Sequence, residues 1–126
     1  MALTNAGRNI VASALVGAAY TAFNNANAYI GVGDSNTAFS ASQTDLQASS
    51  NKLRKGMDVT FPTQSTNVLT LQSTFGTSEA NFDWQEWAVF NASTSGTMLN
   101  RKAESLGVKT SAQSFVITAT LTVTAA

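Results

Sequence analysis

Residues 115–124 read FVITATLTVT, and this stretch decides the fold class. Phe115, Ile117, Ala119, Leu121 and Val123 alternate with Thr118, Thr120, Thr122 and Thr124. A strict two-residue period is the signature of a strand with one buried face. The threonine row satisfies β-propensity without adding charge. That face can stay solvated or meet another polar β surface.

Working outward from this strand, further strand signals appear. Trp84 to Phe90 and Thr97 to Ala103 read as a hairpin joined by Asn91-Ala92-Ser93-Thr94-Ser95-Gly96. Val68 to Phe75 places Leu69, Leu71 and Phe75 on one side. Leu53, Met57, Val59 and Phe61 share a parity opposite Arg54, Asp58 and Thr60, predicting a strand stopped by Pro62. Ala28-Tyr29-Ile30-Gly31-Val32 is a strand ended by the turn-rich Gly33-Asp34-Ser35-Asn36. Ser42-Gln43-Thr44-Asp45 has capping-box form, which predicts one helical turn over 44–48. Near the N-terminus, Thr4 reads as a helix N-cap, with Ile10, Val11, Ala14, Leu15 and Ala18 on one face. Gly17 weakens or ends that helix. Its main reading is a helix that covers the core, and the alternative is docking on a partner copy. These elements predict a mainly β protein: a compact β-sandwich or jelly-roll-like domain with an N-terminal helix. A single domain spans 1–126, with helix and loop over 1–24 and the β domain over 25–126.

Composition narrows the chemistry. The 126 residues include seven Lys+Arg and seven Asp+Glu, no Cys and no His. Ser, Thr and Asn together make up about a third of the chain, and only 11% is charged. Without His or Cys there is no imidazole base, no thiolate, no Ser-His-Asp triad and no ordinary zinc site. Zero net charge removes the electrostatic footprint of general nucleic-acid binding. No apolar run reaches a membrane span. The run from Ile10 to Ala19 behind Arg8 has flanks too weak for a signal peptide. No enzyme, cofactor, nucleic acid or membrane partner is expected.

Each remaining constellation has a structural reading beside the functional one. Gly31-Val32-Gly33 lacks the rest of a phosphate-binding fingerprint, so glycines where another backbone approaches are the better account. Asp83 shares strand parity with Trp87, and Glu86 with Trp84, so the two acids point to opposite faces and cannot act as a glycosidase pair. Sugar stacking by the Trp pair is an alternative; the main reading makes one Trp core and the other an interface anchor. Lys52, Arg54 and Lys55, with Arg101-Lys102, read as edge residues that discourage strand pairing, or as one basic stripe facing a protein partner. Asn91-Ala92-Ser93 matches a glycosylation sequon in an accessible turn, without meaning in the absence of a signal peptide.

The order Tyr29-Ile30-Gly31-Val32-Gly33-Asp34-Ser35, then Phe39-Ser40-Ala41-Ser42-Gln43-Thr44-Asp45-Leu46 and Arg54, resembles small structural proteins of tailed bacteriophages. Trp87 and Phe90 before Asn91, the segment Ser95-Gly96-Thr97-Met98-Leu99-Asn100-Arg101, Lys109-Thr110 and the Thr-rich closing strand extend the likeness to tail-fibre and virion surface proteins.

The resemblance implies a non-enzymatic virion component, made in the host bacterial cytoplasm and assembled in many copies. The closing strand ends where a fibre shaft would begin, so the first expectation is a capsid decoration (cement) protein. It would bind the major capsid protein or another virion protein, as a homo-oligomer and in trimeric form by preference. Trp84 or Trp87 would anchor the partner, Arg54 and Arg101 would make charge contacts, and the N-terminal helix would dock through Ile10 and Leu15. A tail-fibre or baseplate adaptor, and a carbohydrate-binding module, are the alternatives.

Overall fold

The closing strand pairs along its whole length with the strand that the Leu69-Leu71-Phe75 pattern predicts. In the computed structural model, which describes residues 1–125, the elements are α1 (Asn5–Leu15), β1 (Tyr29–Gly33), β2 (Lys52–Gly56), β3 (Thr63–Ser65), β4 (Val68–Phe75), β5 (Asp83–Phe90), β6 (Met98–Val108) and β7 (Phe115–Thr122). Two antiparallel sheets form a β-sandwich, one ordered β2-β1-β5-β6 and the other β3-β4-β7. Pairing of β4 with β7 runs without a register shift from Val68↔Thr122 to Phe75↔Phe115. Phe115, Ile117, Ala119 and Leu121 turn inward, as the alternation requires, and Val116, Thr118, Thr120 and Thr122 stay exposed. Val123 lies beyond the strand and is exposed.

Between the sheets lie Ala28, Ile30, Leu71, Val89, Leu99 and Ala119, joined by a second cluster of Val32, Phe75 and Trp84. Trp84 meets Phe75 and Phe115 edge-on, with ring centroids 4.9 and 5.1 Å away. Each fully buried side chain of this size stabilises the fold by about 1.5–3 kcal/mol relative to its exposure. The Trp84 indole N–H donates to the Ala80 carbonyl at 2.9 Å, which removes the penalty of burying it.

The four-stranded sheet is covered on its other face as well, by the segment over residues 34–51. Leu46 joins Ala88, Phe90 and Met98 there in a separate cluster. This is why β1 is buried along almost its entire length and does not alternate. A Cβ on Gly31 would come within 2.8 Å of the Phe90 ring, and one on Gly33 would overlap the Glu86 carboxylate. The two glycines are therefore space-makers beneath the overlying segment. The helical turn expected at 44–48 does not form. Its amides are used elsewhere: Gln47 and Ala48 donate to Glu86, and Leu46 donates to Asp45.

β2 also ends sooner than its sequence parity predicts. Beyond Gly56 the chain crosses to the other sheet, where Asp58 takes hydrogen bonds from the Thr74 amide and hydroxyl and from the Gln72 side chain. The Asp58 amide donates to Gln72 in turn, and Ser73 donates to the carbonyls of Lys55 and Gly56. Val59 is consequently exposed instead of lying on a buried strand face.

Thr4 caps α1 as expected, accepting from the Gly7 amide at 2.9 Å. The same threonine donates its hydroxyl to Met98 and its amide to Leu99, so the cap also ties the helix to β6. Leu3 bridges to Asn100, and Phe23 packs against the inter-sheet core, so the first 24 residues are bound into the β domain at both ends. The reading of α1 as a cover for the core is corrected: only Gly7 is buried, and Leu15 is 83% exposed. Gly7 is the point of closest approach: a side chain there would collide with the Leu99 carbonyl oxygen, and its absence lets the first turn sit against β6. The helix touches the domain through this first turn and then stands off it. Val16 follows as C-cap, and Gly17 turns the chain at φ +72°.

Gly7→Ala is expected to lower stability by about 1–3 kcal/mol through that collision. Urea unfolding measures the loss. Hydrogen exchange at the Thr4 amide, which is bonded to Leu99, should accelerate as the helix lifts away.

Candidate assembly surface

Glu86 and Arg101 form an ion pair with no side-chain exposure on either partner, Arg101 Nε donating to Glu86 Oε1 at 2.7 Å. The Gln47 amide donates to the same oxygen and the Ala48 amide to the other, each at 2.8 Å. Arg101 Nη1 donates to the Thr37 carbonyl and to Gln43. Two strands of one hairpin thus supply a charged pair that holds four points of the overlying segment. Burying such a pair is tolerable only when hydrogen bonds surround it. Both Glu86 oxygens and Arg101 Nε and Nη1 are bonded, while Arg101 Nη2 is buried without a partner.

The side-chain directions in β5 follow from irregular pairing. The register shifts between Trp84 and Glu86, opposite Gly107 and Ala103 of β6. Across that break Trp84 faces the other sheet and Glu86 the overlying segment, although strict alternation would give them one face. Trp87 also packs toward the inter-sheet core. Asp83 is exposed and accepts from Gln85, while both Glu86 oxygens are occupied, so no converging carboxylate pair forms.

Two of the expected contact residues are therefore corrected. Trp84 is a core side chain, 2% exposed, and presents no face to a partner or a sugar. Arg101 is sealed within the domain and serves the 34–51 segment. Arg54 is similarly engaged: it bonds the carbonyls of Ala92 and Ser95, pairs with Asp45 at 3.2 Å and lies 3.5 Å above the Phe90 ring. It pins the β5–β6 connection to β2. The single basic stripe does not exist either, because β2 and β6 are opposite edges of their sheet.

Most remaining charges are also consumed at short range. Lys52 pairs with Asp45, Lys55 with Glu79 and Lys102 with Glu104, while buried Lys109 donates to Asn81. Lys55, and then the Gly76 amide, hold the Glu79 carboxyl below its ordinary pKa. Asn91, the sequon residue, is buried, its side chain bonded to Thr21 and Thr97. Among the described residues no group of acidic side chains is arranged to hold a metal ion, and no helix is long and apolar enough to cross a membrane.

With polar groups so engaged, the distinctive free surface is apolar. Val11, Leu15, Val16 and Tyr20 stand out along α1 and the chain just after it. Ile10 is half-buried in a groove of about 410 Å³ between α1 and the β5–β6 connection. Trp87 is half-buried, donates its N–H to Glu104 at 2.8 Å and lines a cleft of about 520 Å³ with Met1, Phe39 and Lys102. Of the expected contact residues, Leu15 and, in part, Trp87 and Ile10 remain accessible. The Glu86–Arg101 pair was missed in the sequence. Its available signal was the hairpin, in which Arg101 lies opposite Ala88, diagonal to Glu86. The chain matches no known protein family and no curated protein sequence.

Glu86→Gln should lower stability by about 3–5 kcal/mol, because it leaves a buried guanidinium uncompensated. Chemical denaturation checks the magnitude, and exchange of the Gln47 and Ala48 amides should rise first. The Glu79 ion pair predicts a pH effect. A depressed carboxyl pKa contributes stability that is fully present above the unfolded-state pKa and is lost as pH falls through the folded one. Glu79→Gln should therefore flatten the decline in urea midpoint below the ordinary glutamate range.

Proposed function

We propose that the domain is a non-enzymatic structural protein of a tailed-bacteriophage virion, bound as a decoration on the assembled head. The observation that carries this reading is the outward apolar face of α1, where Leu15 and Val16 are 83% and 81% exposed. An apolar helix face on a domain with no net charge favours burial against a protein surface over contact with an anionic polymer. The resemblance of 29–46 and 95–110 to phage virion proteins supplies the kind of surface. In this reading Leu15 and Val16 seat on the major capsid protein, with Trp87 at the margin of the contact. Binding the assembled lattice in preference to free subunits would stabilise the shell by mass action. The protein would be made in the host cytoplasm and reside on the particle.

The test uses heads of the encoding phage prepared without this protein. Added back, the full chain should co-sediment with heads and raise their thermal disruption temperature. A Leu15→Asp, Val16→Asp variant should keep its own melting temperature but lose at least about tenfold in head affinity, the equivalent of 1.4 kcal/mol. Cryo-EM density at the tail tip, with unchanged head stability, would instead establish the tail-adaptor reading.

A further inference from the structure

The two sheets expose four edge strands, and three of them are poorly suited to accepting another strand. β2 carries Lys52, Arg54 and Lys55 in five residues, so a copy of itself would be repelled. β3 has three residues. β6 is bridged at Asn100 by Leu3, carries Lys102 and Glu104, and is broken by Gly107 at φ +99°. β7 differs on every count. Its eight residues contain no charge, no proline and no glycine, and its pairing with β4 has no bulge. Among the described residues, no backbone group of Phe115–Thr122 bonds anything across the second edge. Natural sheets rarely leave such an edge bare.

We propose that β7 is a docking edge for β7 of a second copy, the two three-stranded sheets joining antiparallel into one of six strands. Charge selects this occupant. A strand paired with its own copy about a two-fold axis sets like residues near like residues, which penalises an edge of like charges such as β2 and leaves an uncharged one untouched. The exposed Thr118, Thr120 and Thr122 also suit such pairing, since facing threonines are favourable cross-strand neighbours. Antiparallel strands place residues of the same face opposite each other. Either central register therefore brings Thr118 opposite itself or opposite Thr120. The contact closes as a dimer, in contrast to the trimer expected from the resemblance, and it does not depend on which virion surface the domain occupies.

Sedimentation velocity of the full chain should give twice the 13.2 kDa monomer mass, dissociating on dilution. Amides of Phe115–Thr122 should gain exchange protection with protein concentration. The paired substitution Thr118→Lys, Thr120→Lys should weaken the dimer about tenfold or more while the thermal midpoint of the dilute monomer is unchanged. Mixing it with Thr118→Glu, Thr120→Glu should restore a mixed dimer. A monomer at every concentration, a trimer, or a dimer whose β7 exchange and affinity ignore these changes would overturn the proposal.

Discussion

The fold depends on one buried ionic contact, Glu86 with Arg101. The segment over 34–51 contains no regular element, and few of its side chains are apolar enough to hold it in place. It is held because a single carboxylate collects two of its amides and a single guanidinium collects the Thr37 carbonyl and the Gln43 side chain. That anchorage lets Leu46 and Ala48 descend onto Gly31 and Gly33 and gives the four-stranded sheet a second covered face. A pair so enclosed adds little net stability compared with an apolar replacement, but losing one member leaves a buried charge exposed to no compensating partner. Its contribution is to specify one placement of a segment that has no local reason to choose any.

The same economy shapes the surface. Arg54 secures the β5–β6 connection, Asp58 joins the two sheets, and Glu79 is tied to Lys55. With so few charged residues, these structural uses absorb most of them. What remains outside is threonine-rich sheet and an apolar helix face, surfaces with little charge to desolvate on association. Gly7 lets the first turn of α1 seat against β6, and the far end of the helix leaves Leu15 and Val16 exposed and available for a partner.

Much of the architecture was legible because it is local. The alternation of β7, the β5–β6 hairpin and the Thr4 cap rest on two-residue periods, a turn and a hydroxyl near an amide. The candidate contact residues were less legible. Trp84 and Arg101 each carry chemistry typical of interfaces, but burial depends on what lies above them, and neither period nor composition reports that. The irregular pairing beside Trp84 also overturned the parity argument, since alternation predicts faces only while the ladder is regular.

By itself, the sequence determined the class: strands marked by two-residue alternation or short apolar runs, a capped N-terminal helix, and a neutral, Thr-rich composition without imidazole or thiol. Those properties are carried by side-chain chemistry and short-range periodicity, which need no tertiary context. Only the folded structure decided which face of each sheet was covered, where α1 points and which charges stay free. Glu86 meets partners 38 and 39 residues distant in the chain, and Thr4 meets one 94 residues away. Contacts at that separation are set by how layers stack, a global packing problem that no local pattern encodes.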